Sequence, residues 1–163
     1  MLKSGSPNEQ GYTLIEVVTV AAIIGIILAI AGIYGKPMID KYNVESQVRK
    51  MNADILQARM RAMEKNRQYF VSVNTGDYQV VEDANENGVN DDAVVMQTTL
   101  KYVISGGTGT IIMDPRGLIT SADTYTTILF STGSALKADY DCIVMYPTRI
   151  NIGSKNGTTC TPK

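Results

Sequence analysis

The stretch GYTLIEVVTVAAIIGIILAIAGIY, residues 11–34, decides the architecture of this 163-residue chain. From Val17 to Tyr34 it contains no charged residue, and Thr19 carries the only hydroxyl group besides that of Tyr34. A helix of about 18 or more apolar residues is long enough to cross a bilayer, where every backbone polar group must be satisfied within the helix. The sequence therefore predicts a long N-terminal helix whose apolar half is transmembrane.

Three interpretations compete for this apolar stretch. A secretory signal would place a basic region directly before a short apolar run, whereas here the run is long and the polar residues 1–11, MLKSGSPNEQG, end without Lys or Arg. A plain membrane anchor accounts for the apolar run but leaves Glu16 unexplained, because a charge that enters lipid is costly and needs a partner. The third interpretation provides that partner.

Residues 11–16, GYTLIE, closely resemble the prepilin cleavage motif of type IV pilins and type II secretion pseudopilins. The resemblance implies that prepilin peptidase cuts after Gly11 and methylates the new amine of Tyr12. Glu16 would then occupy the fifth mature position, where its carboxylate would neutralise the Tyr12 ammonium of a neighbouring subunit in a low dielectric. The family usually has Phe as its first mature residue, where this chain has Tyr12. The family also usually has a cation near the cleavage glycine, whereas the only cation of this leader is Lys3.

Residues 36–67 form a basic segment with eight Lys and Arg against four Asp and Glu. Apolar residues recur in it at spacings of four and three, which places them on one face of a helix. This stripe consists of Val44, Val48, Met51, Ile55, Ala58 and Ala62. We interpret it as a core face covered by the protein's own sheet rather than as a coiled-coil seam, and we expect Asn66 to end the helix.

Residues 68–163 show the alternation and the turn clusters of short strands, and they carry six Lys and Arg against ten Asp and Glu. The predicted strands are Tyr69–Asn74, Asp77–Glu82, Ala93–Ile104, Gly109–Asp114, Tyr125–Ser131, Tyr140–Tyr146 and Thr148–Ile152. No connection between them is long enough for a helix, so the sheets should be antiparallel. The predicted fold class is α+β: a long N-terminal helix followed by an antiparallel β-sandwich-like head.

Two further stretches resemble the H-type minor pseudopilins and FimT/FimU-like minor pilins, the GspH/FimT group. Leu56–Val73 resembles the end of their stem, and Met113–Leu118 resembles the F-x-P-x-G turn of their head. The resemblance implies four parts: a leader peptide (1–11), a transmembrane and assembly helix (12–35), an amphipathic stem helix (36–67) and a periplasmic β-rich head (68–163). It also implies a single-pass inner-membrane protein with its head in the periplasm, which then enters a periplasmic or extracellular filament.

Cys142 and Cys160 are the only two cysteines of the chain. In a cytosolic protein such a pair is usually two free thiols, whereas an exported head lies in an oxidising compartment. Because the resemblance implies export, it also implies a disulfide between these residues that ties the C-terminal tail to a strand.

The loop of residues 83–92, DANENGVNDD, matches the first half of a calcium loop, with oxygen-bearing side chains at alternating positions and a glycine for the turn. The candidate ligands are Asp83, Asn85, Asn87 and Asp91. The twelfth position is Val94, so the bidentate acid of an EF-hand is missing. Two interpretations stay open, a solvated polar hairpin loop and a structural calcium site, and no other cofactor is expected.

The sequence favours a structural minor pilin or pseudopilin of a type IV pilus or type II secretion system. Its expected partners are prepilin peptidase, other pilin or pseudopilin subunits and an inner-membrane assembly platform. The alternative is a DNA-binding minor pilin, for which clustered cations are needed; only Arg149, Lys155 and Lys163 are candidates. An enzyme is disfavoured because the chain has no histidine, no nucleophile elbow and no metal-binding cysteine spacing.

Overall fold

The computed structural model describes residues 11–120, 126–131 and 137–163. The predicted leader up to residue 10 and the first residue of the predicted strand Tyr125–Ser131 lie outside this part. The described elements are α1 (Leu14–Lys65), β1 (Tyr69–Val73), β2 (Asp77–Glu82), β3 (Val94–Thr99), β4 (Ile104–Gly106), β5 (Gly109–Met113), β6 (Thr126–Phe130), β7 (Cys142–Met145), β8 (Ile150–Asn156) and β9 (Thr159–Pro162). They belong to two compact units, one up to Lys36 and one from Pro37 onward.

The first unit consists of the apolar half of α1. Leu14–Gly32 is long and apolar enough to cross a membrane, judged by length and composition, and none of it is buried within the chain. Ile23 is 57 % exposed and Leu28 is 65 % exposed. Because apolar surface of this extent is unfavourable in water, these side chains need cover from outside the chain.

The second unit begins with the stem half of α1, which buries the predicted stripe. The six apolar residues of the stripe are each at most 2 % exposed, and they belong to the main hydrophobic core. The helix ends as predicted, because Asn66 adopts a left-handed conformation with a φ of 52°. The backbone N–H of Arg67 then donates to the carbonyl of Ala62 at 3.2 Å, which satisfies a carbonyl of the last turn.

The strands of the second unit form two antiparallel sheets, ordered β3-β2-β1-β5 and β4-β6-β7-β8-β9. The predicted hairpin is present: β1 pairs with β2 from Tyr69 opposite Glu82 to Val73 opposite Tyr78. Both sheets and the stem contribute to one core, in which Tyr69, Phe130 and Met145 are almost completely buried. The α+β prediction is confirmed.

One predicted strand, Ala93–Ile104, is wrong as a single element. The structure divides it into β3 in the first sheet and β4 in the second. The side-chain oxygen of Gln47 accepts the backbone N–H groups of Lys101 and Tyr102 at 2.9 and 3.1 Å. The stem therefore binds backbone groups that a continuous strand would use in its ladder, and the chain crosses from one sheet to the other at this point.

The C-terminal strands also differ from the prediction. The predicted strand Thr148–Ile152 starts later and is longer, as β8, and β9 was not predicted at all. Two glycines and many polar residues make this tail look like a loop, yet Gly157 adopts a φ of 62° and allows a tight turn between β8 and β9. The predicted strand Tyr140–Tyr146 is shorter, as β7, because its ends leave the ladder.

Candidate functional sites

The start of α1 brings Thr13 and Glu16 together. The backbone N–H of Glu16 donates to the carbonyl of Thr13 at 3.1 Å and approaches the Thr13 hydroxyl at 3.4 Å. This is the Thr-x-x-Glu arrangement of a capped helix N-terminus, where a carboxylate also interacts favourably with the helix dipole. Glu16 therefore stabilises the first turn of the helix whether or not it has a partner in another chain.

The side chain of Glu16 has no hydrogen bond and no ion pair within residues 11–120, 126–131 and 137–163. It is exposed, as are Tyr12 at 82 % and Leu14 at 83 %. Gly11 precedes the helix, and a Cβ added to it would meet nothing within 4 Å. The peptide bond after Gly11 therefore lies outside regular structure, where an enzyme can approach it, and Glu16 keeps its acceptor capacity for another molecule.

The predicted turn Met113–Leu118 is organised by the carboxylate of Asp114. One oxygen accepts the backbone N–H groups of Arg116 and Leu118 at 3.0 and 2.8 Å, and the other accepts Nε of Arg116 at 2.9 Å. Burial alone would raise the pKa of Asp114, but these hydrogen bonds and the Arg116 charge hold it below its usual range. The turn is thus a self-contained anchor, and Arg116 acts within it.

Position 117 of this turn requires a glycine. Its φ is 75°, and a Cβ at this position would come within 2.8 Å of the Met63 sulfur. The guanidinium of Arg59 also donates to the carbonyl of Thr148 at 2.9 Å. The turn and the neighbouring loop therefore pack on the last turns of the stem, which gives the Pro-x-Gly signature a structural role.

Glu82 joins the end of the stem to β2, and sequence reasoning did not identify it. Its carboxylate accepts hydrogen bonds from Lys65 at 2.5 Å, Tyr69 at 2.7 Å and Arg67 at 3.3 Å. The bond from Lys65, and then that from Tyr69, lower the pKa of Glu82. The predicted hairpin already contained a signal for this cluster, because its register places Glu82 directly opposite Tyr69.

The candidate calcium loop is held by its own carboxylates. Asp83 is only 3 % exposed, and its two oxygens accept the backbone N–H groups of Asn87 and Gly88 at 3.1 and 2.9 Å. Asp92 accepts the N–H groups of Ala84 and Asn85 at 2.8 and 3.3 Å. Backbone donors thus occupy oxygen atoms that a metal ion would otherwise bind.

The remaining candidate ligands of the loop, Asn85, Asn87 and Asp91, are brought together. The amide of Asn87 donates to Asp91 at 3.1 Å, and the amide of Asn85 approaches the same carboxylate at 3.5 Å. Within the described part of the chain, however, no group of three or more His, Cys, Asp or Glu side chains is arranged to hold a metal ion. The described residues therefore offer no preformed cluster of these ligand types.

Cys142 and Cys160 form the predicted disulfide, with their Cα atoms 5.8 Å apart. The bond joins β7 to β9, although β8 lies between them in the sheet order. Gly153 of β8 makes this possible, because a Cβ there would lie 3.1 Å from the Cys160 sulfur and would collide with the backbone of Thr161. The tail is thus covalently tied to the sheet over a position that only glycine fits.

The three cations considered for DNA binding each contact a different group of the head. Arg149 stacks over the ring of Tyr146 at 4.4 Å, and Lys155 donates to Ser105 at 2.9 Å. Lys163 pairs with Asp139 at 3.7 Å. Each of the three cations therefore interacts with a group of the same chain. This arrangement does not favour the DNA-binding alternative.

Two protein-family models match the sequence. The model of the prokaryotic N-terminal methylation motif matches residues 6–32. The model described as type II transport protein GspH matches residues 47–144, which is more than half of the chain. No curated protein and no solved structure matches the chain.

Proposed function

Because this chain belongs to the GspH family of type II transport proteins, we propose that it is a structural minor pilin or pseudopilin of a type II secretion system or type IV pilus. The observation that carries this proposal is the apolar half of α1, which begins at the methylation motif and is not buried within the chain. A helix of this kind has to be covered by a membrane or by other subunits. Proteins of the two matched families are structural rather than enzymatic.

The first step of the proposed function is cleavage. Prepilin peptidase cuts the bond between Gly11 and Tyr12, removes the leader and methylates the amine of Tyr12. The exposed, non-helical backbone at Gly11 supports this step, because a protease needs an extended segment that it can bind. Before cleavage the chain is a single-pass inner-membrane protein, with residues 12–35 in the membrane and residues 68–163 in the periplasm.

The second step is assembly through Glu16. In a filament, the carboxylate of Glu16 forms an ion pair with the N-terminal ammonium of Tyr12 in a neighbouring subunit. The unpaired state of Glu16 in the described chain supports this step, because an uncompensated charge in a low dielectric is strongly unfavourable. The pairing therefore fixes the register of one apolar helix against the next as the inner-membrane assembly platform adds subunits.

Cleavage is tested with Gly11→Val, which replaces the smallest residue before the scissile bond. Coexpression with prepilin peptidase should convert the wild-type chain to a faster-migrating form and leave the variant at its full length. Gly25→Val is the matched control, because a Cβ at Gly25 also meets nothing within 4 Å and Gly25 lies well after the GYTLIE stretch of residues 11–16. Processing of Gly11→Val at the wild-type rate would refute the assignment of the cleavage site.

Assembly is tested separately with Glu16→Gln, which keeps the size of the side chain and removes its charge. This variant should still be cleaved, and it should fail to co-purify with other processed subunits from membranes. Thr19→Val, one turn later on the same helix, should co-purify like the wild type. If Glu16→Gln assembled normally, the charge of Glu16 would have no role in register.

A structural calcium ion in the loop of residues 83–92 stays a prediction. The alternation of Asp83, Asn85, Asn87 and Asp91 supports it, whereas the backbone hydrogen bonds of Asp83 compete with it. Calorimetry with calcium on the processed chain in detergent micelles tests it, with Asp91→Asn as the comparison. Absence of heat, together with an unchanged melting temperature, would leave the loop as a polar hairpin connection.

A further inference from the structure

Strand β3 is the outer strand of the first sheet. It pairs with β2 on one side, and no strand of the described ranges pairs with its other side. The strand contains neither charge nor proline, and its residues Val94 and Val95 are 47 % and 42 % exposed. Such an edge presents unpaired backbone N–H and C=O groups, which form a template for an additional strand.

The direction of the free backbone groups follows from the ladder. The N–H of Leu100 donates to the carbonyl of Gly76 at 2.8 Å, just beyond the pair formed by Thr99 and Asp77. In an antiparallel ladder, residues that point toward the partner alternate with residues that point away. The N–H and C=O groups of Gln97 and Thr99 therefore point away from β2, toward solvent.

The other sheet edges carry several features that oppose strand addition, whereas β3 carries one, a bulge at Val95 that limits its regular pairing to Met96–Thr99. The edge strand β9 contains Pro162, and Lys163 follows it. The edge strand β4 has only three residues. On the outer side of the edge strand β5, the N–H of Thr120 donates to the carbonyl of Ile112 at 2.9 Å. Proline, lysine, short length and cover by a neighbouring segment are the usual protections of an edge.

The loop between β2 and β3 leaves this edge open. The side chain of Asn90 donates to the hydroxyl of Ser72 on β1 at 2.7 Å. Because β1 lies on the opposite side of β2 from β3, the loop leans over the sheet and away from the edge. The edge is therefore exposed and is bordered at one end by the acidic loop.

The two ends of the edge carry opposite charge. Residues 83–92, which lead into β3, contain four acids and no base. At the other end, Lys50 and Lys101 line a groove with Thr98 and Thr99 of the strand. Lys50 has no ion pair within the described ranges. The carboxylate of Asp77 lies opposite Thr99 at this end and accepts hydrogen bonds from Asn74, Gln79 and Gln97, so two lysines there face one acid. An added strand would thus meet a negative potential at one end and a net positive charge at the other.

We propose that β3 receives an extended segment of another protein as a fifth, antiparallel strand of the first sheet. Antiparallel pairing matches every strand pair in both sheets. The partner then runs opposite to β3, so it carries acidic residues before, and basic residues after, a run of uncharged β-branched residues. Backbone bonds provide the affinity and the charged ends fix the direction.

A second copy of this chain satisfies the charge pattern but not the geometry. Two β3 strands that pair edge to edge are related by a twofold axis perpendicular to the sheet. Because the stem lies against the sheet, that axis turns one stem opposite to the other. Subunits of one filament share a single orientation, which such an axis forbids, so under the proposed function the occupant is a different protein. This inference concerns the head and does not depend on cleavage after Gly11.

The test uses the full chain in detergent micelles and the synthetic peptide Glu-Ser-Val-Thr-Val-Thr-Val-Lys-Lys. Saturating peptide should slow hydrogen exchange at Gln97 and Thr99 by about tenfold or more, with no change in β9. A peptide with its terminal charges exchanged should bind at least about fivefold more weakly at low salt, and the difference should disappear at high salt. Lys50→Glu should reduce this preference.

A matched pair of variants separates backbone pairing from other contacts. Gln97→Pro and Gln97→Thr both remove the hydrogen bond from Gln97 to Asp77, which measures 3.1 Å, but only proline removes the outward N–H. Gln97→Thr should bind the peptide and Gln97→Pro should not. Absence of peptide binding, equal binding by both variants, or no response of the charge preference to Lys50→Glu would overturn the proposal. Protection of β3 that depends on protein concentration alone would overturn it in favour of a second copy.

Discussion

The two halves of α1 are both rich in apolar residues, yet they differ completely in burial. Between Leu14 and Gly32 no residue is buried within the chain, whereas the stripe from Val44 to Ala62 is almost inaccessible to solvent. The stem half packs in the core of the chain's own sheets, whereas Leu14–Gly32 has no such cover from the residues that the structure describes. The difference shows which apolar surface stabilises the fold and which is available for anchoring and assembly.

The largest effect should come from the stem half. Ile55→Ala should lower the free energy of unfolding by about 2–5 kcal/mol, because Ile55 is fully buried and truncation leaves a cavity. Ile27→Ala removes the same atoms from the apolar half, where Ile27 is 59 % exposed. This variant should change the free energy of unfolding by less than about 0.5 kcal/mol. Denaturant unfolding of the chain in micelles, followed by a signal from the head, measures both. Equal losses would contradict the contrast between the halves.

The disulfide should have the next largest effect, again confined to the second unit. Replacing Cys142 and Cys160 together by Ser removes a cross-link between residues 18 positions apart and should cost about 3 kcal/mol. Thermal unfolding with and without reductant checks this, because reduction should lower the wild-type melting temperature and leave the variant unchanged. Membrane insertion of residues 14–32 should stay the same. A loss of insertion would mean that the two units depend on each other.

A smaller effect should appear at the end of the stem. Glu82→Gln should cost about 1 kcal/mol at neutral pH, since it weakens the hydrogen bonds from Lys65 and Tyr69. Because the bond from Lys65 lowers the pKa of Glu82, its stabilisation is complete above the unfolded pKa of about 4.3 and is lost as pH falls through the lower folded-state pKa. The unfolding free energies of wild type and variant should therefore converge in acid. A gap of constant size from neutral pH down to the acid limit of the folded state would exclude charge as the cause.

Local periodicity predicted those parts of the fold that local sequence determines. The stem stripe, the helix end at Asn66 and the hairpin of β1 and β2 are all of this kind, and all are confirmed. The division of Ala93–Ile104 into two strands could not be predicted, because it depends on Gln47, about fifty positions earlier in the chain. Strand β9 was missed because its polar, glycine-containing sequence resembles a loop, although Gly157 allows the tight turn that pairs β9 with β8.

The candidate sites divide in the same way. A short motif predicted Gly11, Tyr12 and Glu16 as sites. The structure adds that the N–H of Glu16 approaches the capping hydroxyl of Thr13, while its carboxylate has no partner among the described residues. The cluster around Glu82 needed the tertiary packing of stem against sheet. The open edge of β3 needed the sheet order, which no local pattern contains.

The most direct test of the account is the N-terminus of the mature chain. Mass spectrometry of the protein recovered from membranes of cells that contain prepilin peptidase should show a chain that begins at Tyr12 and carries one methyl group on its amine. The same protein from cells without the peptidase should keep Met1 and the leader. A chain that begins at Met1 in both cells, or at a residue other than Tyr12 when the peptidase is present, would contradict the account.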